Sequence, residues 1–353
     1  MARLTVNDLD YLGACVHGRR GRVAEAERLD ALCRLRTIPE LSRAVFPGFE
    51  AQTCTEFQRR VMEDLVSELS RCPRHLGEAG SDLFAWLLIR FQVENVKVLL
   101  RGFMDHTPLE AVQEHLVTLP EDGALDARTL MAAETLQKFV QRLPMGTPRQ
   151  TLRAALGIYR DHLRPFFLEA ALDRGYFQDL LARAGRLSGE DKELVAPIVD
   201  QEVNMFQLML AARGRFNYGL TPELLLPLHI RWCGIPADRF KAMLAAPDIR
   251  AAAVLALGRA IDSLPSEPES TENSLGLDFA ELEALTWIRF LRLANQAFRR
   301  SHMGFGAVIG YVGIRRVEVA NLITLSEGIR TGVLPEVIRA RLIPRRVLEV
   351  DHV

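Results

Sequence analysis

The chain predicts an all-α protein, and three observations carry that prediction. Apolar residues recur at helical rather than strand spacing, helix start and stop signals are frequent, and one helical signature appears three times. The copies centre on Asn95, Asn204 and Asn321. Each Asn is followed four residues later by Leu (Leu99, Leu208, Leu325) and seven later by a small residue (Gly102, Ala211, Gly328). The Asn-to-Asn intervals are 109 and 117 residues in a chain of 353, which predicts three related units filling the polypeptide.

Along the chain, a capping-box pattern at Thr53 with Glu56 opens the first clear helix. Phe84, Leu88, Phe91, Asn95 and Leu99 then share one stripe, the buried face of a long helix. A buried amide must be hydrogen-bonded, because leaving it unpaired costs about 1–3 kcal/mol, so the Asn also fixes register. Arg101-Gly102 reads as a helix stop, with the Arg complementing the negative helix end and the Gly free to turn left-handed. Thr107-Pro108-Leu109-Glu110 is a restart, and Pro120-Glu121-Asp122-Gly123 a softer break near the end of the first unit.

Further starts fall at Thr147-Pro148 with Gln150 and at Ser188 with Asp191, leading into the Asn204 copy. There the stop is Arg213-Gly214 and the restart Thr221-Pro222-Glu223. Ser263 to Gly276, with two prolines, four serines and three glutamates, reads as a flexible acidic connection. In the third copy Arg330 and Gly332 form the stop and Leu334-Pro335-Glu336 the restart. The expected units are 1–120, 121–262 and 263–353.

Composition narrows the function. Forty-four basic against 45 acidic residues provide no global pull toward nucleic acid or an anionic surface. Lys97, Lys138, Lys192 and Lys241 are the only lysines, leaving 40 arginines suited to planar contacts with carboxylates. Five cysteines show no zinc-site spacing and read as reduced thiols. The N-terminus lacks an apolar signal core, and no run approaches the ~18 uncharged residues of a membrane span, so a cytoplasmic protein is expected, linked to any membrane through other subunits.

Chemistry-bearing motifs are missing: no phosphate loop, no H-E-x-x-H helix, no G-x-S-x-G elbow and no D-D-x-x-D run. Gly304-Phe305-Gly306-Ala307-Val308-Ile309-Gly310 has its third glycine one place late for a dinucleotide fingerprint. With Gly313, Val317, Asn321, Leu325 and Gly328 it forms one stripe instead, which predicts close packing along a long helix. Arg19-Arg20-Gly21-Arg22 is a basic cluster that could grip phosphates or an acidic partner, against the plainer reading of a solvated face. No catalytic, cofactor-binding or metal site is expected.

These residues resemble the C subunit of the A/V-type rotary ATPases, whose counterpart in the eukaryotic proton pump is named d. Val93-Glu94-Asn95-Val96-Lys97 followed by Leu99-Leu100-Arg101-Gly102 is similar to that family's helix ending in Leu-Arg-Gly. Ala307 to Val312, Glu318-Val319, Asn321-Leu322, Gly328, Gly332, Leu334-Pro335-Glu336, Ile338 and Leu342 follow its C-terminal pattern, and Tyr176-Phe177 resembles its middle unit. The second copy departs from it, with Phe206 where the family prefers a basic residue.

The resemblance implies three helical subdomains in approximate threefold pseudo-symmetry, forming a hollow funnel. The funnel would sit on the membrane rotor ring and receive the tip of the central shaft, transmitting torque without catalysing anything. Its implied partners are the central-shaft subunits and the ring's cytoplasmic loops. Arg101, Arg213 and Arg330, at helix ends, are candidate contacts to shaft or ring, against the plainer reading that they cap their own helices. An unrelated all-α repeat scaffold or adaptor is the alternative, although solenoid repeats run about 20–50 residues, well short of this spacing.

Overall fold

A computed structural model of the chain describes residues 6–231, 234–258 and 279–344, which are all helix, turn and loop with no strand among them. The expected acidic connection, 263–276, lies outside the described residues. The first third holds α1 (Val6–Arg20), α2 (Ala26–Cys33), α3 (Ile38–Val45), α4 (Cys54–Leu69), the long α5 (Glu78–Met104) and α6 (Leu109–Gln113). The middle runs through α7 (Ala127–Met131), α8 (Leu136–Arg142), α9 (Thr147–His162), α10 (Pro165–Ala184), the long α11 (Gly189–Ala211), α12 (Pro222–Leu225), α13 (Ala237–Ala245) and α14 (Ile249–Leu257). Then come α15 (Phe279–Ser301), the long α16 (Phe305–Arg330) and α17 (Pro335–Arg341).

Start signals are obeyed to different degrees. Thr53 accepts a hydrogen bond from the Glu56 amide at 3.1 Å, as a capping residue should. Ser188 precedes α11 but makes no side-chain cap, and Thr147 begins α9 while donating its hydroxyl to Asp179 instead. In both, the helix is held by packing rather than by its cap.

The repeat is visible in hydrogen bonds. Asn95 donates to the Val117 carbonyl (2.8 Å) and accepts from the Val117 amide (2.9 Å); Asn321 does the same with Ile343, at 2.6 and 2.8 Å. Each amide thus clasps the backbone 22 residues downstream and pins the segment after the restart helix to the long helix. In the second copy Asn204 makes no such clasp, and its Oδ1 has no hydrogen-bond partner among the described residues. Gln207, one turn later, accepts from the Ile230 amide at 3.1 Å, 23 residues downstream. The working equivalents are therefore Asn95, Gln207 and Asn321, and α11 is in register with the other two when shifted by three residues.

That register also sorts the stops. The amides of Thr107, Leu220 and Val333 each bond to the carbonyls of Gly102, Gly214 and Gly328 at 2.9 Å. Those three glycines stay helical; the left-handed turn is made later, by His106 (φ 56°), Gly219 (63°) and Gly332 (68°). The helical glycines instead leave room for the restart helices. A methyl group at Gly214 would lie 2.6 Å from Leu225, one at Gly328 2.6 Å from Ile338, and one at Gly102 would meet Val112. Under the shifted register Ala211 falls opposite Leu99 and Leu325, all three fully buried, while Leu208 is buried a turn away.

Packing between copies follows one rule. α5 lies against α10, α11 against α15, and α16 returns to lie against α4, so the set of contacts closes on itself. α15 and α16 form the tightest pair. A Cβ at Gly310 would lie 2.5 Å from the Ala294 carbonyl oxygen and 2.6 Å from the Phe298 nitrogen, so the glycine stripe is a helix contact, as its spacing predicts.

Candidate functional site

The long helices converge through their N-terminal halves. Leu83 and Leu87 of α5, Val195 and Val199 of α11, and Ile309 and Gly313 of α16 line one cavity of only about 10 Å³, together with Glu202 and Arg316. In the shared register these are matching positions, and the next inward positions are Arg90, Glu202 and Arg316. Apolar side chains fill the convergence, and a charged layer lies over it.

That layer is built from paired charges. Arg316 meets Glu202 at 2.7 Å; Arg90 meets Glu94 at 2.8 Å and Asp173 at 3.0 Å; Lys97 meets Asp173 at 2.6 Å and Glu94 at 3.2 Å. Burial works against both arginine charges. For Arg90 the carboxylates of Asp173 and Glu94 outweigh it, and for Arg316 that of Glu202, leaving both guanidinium groups more basic than usual. Beside them Tyr176 is held neutral above its ordinary range, by burial first and then by the Glu202 charge. Arg90 lies over the rings of Tyr176 and Phe177, 5.5 Å from each centroid, and the Trp86 indole donates to the Tyr176 carbonyl at 2.9 Å.

Beyond the layer, toward the helix C-termini, opens a cavity of about 700 Å³ bordered by α5, α10, α11 and Glu283 of α15. Its walls are apolar, with Phe166, Met205, Phe206 and Met209; Arg164 and Tyr218 stand among its polar border residues. Arg101 holds Glu169 with both fork nitrogens, at 2.5 and 2.7 Å, and Arg213 faces Glu283 at 3.7 Å. Both arginines thus reach a carboxylate on another helix, Arg101 on α10 and Arg213 on α15.

Arg330 differs. It lies outside that cavity and bonds to Glu327 of its own helix at 2.8 Å. Arg101 and Arg213 each precede a clasp glycine, whereas Arg330 follows Gly328 by two places, so the true third counterpart is Glu327. That carboxylate accepts from Gln58 of α4 at 2.8 Å. Hydrogen bonds from Arg330 and then Gln58 hold its pKa below the ordinary carboxylate value. The structure thus unites Arg101 and Arg213 on one cavity and separates Arg330 from them.

Gln207, the Arg90–Glu202–Arg316 layer and the partners Glu169 and Glu283 escaped the sequence reading. Setting the register on the Arg-Gly stops rather than on Asn would have found Gln207. Glu110, Glu223 and Glu336, all in restart helices, recur at an even spacing that points to within one residue of Gln207.

The described residues hold no group of three or more His, Cys, Asp or Glu placed to bind a metal, and no helix among them is long and apolar enough to cross a membrane. An open, apolar-walled cavity edged by arginine–carboxylate pairs, over a closed charged floor, is suited to seating another polypeptide.

Comparison with known proteins places the chain in a family. A family model described as ATP synthase (C/AC39) subunit matches residues 12–341. The C subunit of the A-type ATP synthase of Methanosarcina mazei is 28% identical over 154 residues, covering 44% of this chain and 41% of that protein. The protein of the same name from Methanothermobacter thermautotrophicus is 23% identical over 337 residues, covering 92% and 85%. A third, from Halobacterium salinarum, is 33% identical over 100 residues, 28% of each chain.

Proposed function

The chain belongs to the ATP synthase (C/AC39) subunit family, and from that premise we propose that it is the adaptor between the central shaft and the membrane rotor ring of a rotary ATPase. Family membership makes it a non-catalytic part of such a machine. The torque-transmitting role is our reading, and the observation that carries it is the cavity above the Arg90–Glu202–Arg316 floor. Its apolar walls and charged border suit the end of a shaft helix, and its blocked floor suits a part that must bear load.

Three units, 1–120, 121–262 and 263–353, would stand around a common axis as an open funnel. Support comes from the recurring amide clasp, the matched inward positions of the long helices and the closed sequence of α5–α10, α11–α15 and α16–α4 contacts. Arg101 and Arg213 would meet the shaft, while Arg330 contributes less. The opposite face would rest on the ring's cytoplasmic loops, making the chain peripheral to the membrane.

A gentle pull-down from native membranes, with every co-eluting protein identified, tests this. Shaft and ring proteins are expected with the wild-type chain. The double variant Arg101→Glu/Arg213→Glu should lose the shaft by tenfold or more while keeping its circular dichroism. Retention of shaft at wild-type levels by a normally folded variant would remove this cavity from the interface.

A further inference from the structure

We propose that a second cleft, between α1, α4 and α16, binds a small phosphate-bearing anion. The cleft has a volume of about 630 Å³, within the roughly 300–1,000 Å³ of small-molecule sites. Six arginines line it (Arg19, Arg22, Arg28, Arg60, Arg71 and Arg315), against three carboxylates. Two of the six belong to the basic cluster at Arg19-Arg20-Gly21-Arg22. Arg20 turns away to Glu25 at 2.6 Å and leaves Arg19 and Arg22 on the cleft.

The carboxylates are already engaged. Glu68 accepts from Arg19 (2.9 Å), the Tyr311 hydroxyl (2.7 Å) and Arg315 (3.0 Å). Glu318 accepts from the Ala24 amide at 2.5 Å and from Arg315, and Asp64 from Arg315 at 2.9 Å. These contacts fix Arg315 and Arg19 as part of the wall.

Three of the other four arginines make contacts with uncharged groups. Arg28 donates to the Arg22 carbonyl, Arg71 donates to the Ser67 hydroxyl at 3.3 Å, and Arg60 lies over Phe46 and Phe49 at 5.5 and 5.7 Å. None of these contacts cancels a charge. Exposed guanidinium groups converging on one cleft suit phosphate oxygens, which their planar forks can bind two at a time. Phe46, Pro47 and Val61 supply an apolar side to the same cleft, where the carbon skeleton of a phosphate ester would lie.

Titration calorimetry of the full chain with pyrophosphate tests the site. Saturable binding near one equivalent is expected, weakened at least tenfold in Arg60→Gln/Arg71→Gln. The control Arg153→Gln/Arg160→Gln removes the same charge from exposed positions on α9 and should bind as wild type. Flotation with phosphatidylglycerol against phosphatidylcholine vesicles separates the sources. Anionic vesicles retained through Arg60 and Arg71 would assign the phosphate to a lipid headgroup, and pyrophosphate binding alone would assign it to a soluble ester. Equal weakening in both double variants would show general charge attraction and overturn the site, as would wild-type protein that binds neither probe. Because assembly with the shaft is read separately, failure here leaves the adaptor reading intact, and the converse also holds.

Discussion

Asn321 and Asn204 read alike in the sequence and behave differently in the structure. Both were legible as polar residues on a buried helical stripe, but a stripe does not tell which amide finds a backbone partner. Asn321 satisfies both ends of its amide on Ile343, whereas among the described residues Asn204 leaves its oxygen unbonded and Gln207 makes the clasp. Gln reaches one methylene further, and its clasp spans one residue more. Replacing Asn321 with Ala should cost about 1–3 kcal/mol by leaving the buried Ile343 amide and carbonyl unpaired, and Asn204→Ala should cost clearly less. Urea unfolding with a common slope measures both; equal losses would mean that the clasp contributes nothing special.

At the scale of elements, the helices were largely readable because their apolar spacing, prolines and stops are local signals. Their partners were not, since the pairing of α16 with α4 joins residues more than 200 places apart. The glycine stripe is intermediate: its spacing announced close packing, and only the structure names α15 as the neighbour. Gly310→Ala would set a methyl group against the α15 backbone, where no side chain can swing aside. We expect a loss of roughly 1–3 kcal/mol, or more, seen as a lowered thermal midpoint. Gly157→Ala, in open space on α9, should be neutral or mildly stabilising. If both variants melted alike, the tight α15–α16 contact would be wrong.

For the whole molecule, the charged floor was beyond the sequence, because Arg90, Glu202 and Arg316 differ in type and align only after the second copy is shifted. Glu202 is almost fully buried against Arg316. Removing one member of a buried pair costs about 3–5 kcal/mol, since the other charge stays behind without compensation. Glu202→Gln should therefore destabilise the fold strongly. Combining it with Arg316→Met should recover much of the loss, which denaturant curves of the single and double variants would show. An additive double variant would indicate that the two side chains do not depend on each other.

The three matching helix ends carry Arg101 and Arg213 on the larger cavity and Glu327 outside it, two positive and one negative, and so are not interchangeable. In the threefold arrangement proposed above, a rod turned by a third of a revolution among them would meet an opposite sign at two of the three ends. On the adaptor role proposed above, such ends would act as a keyed coupling with a single angular setting, and would fix the phase between shaft and ring.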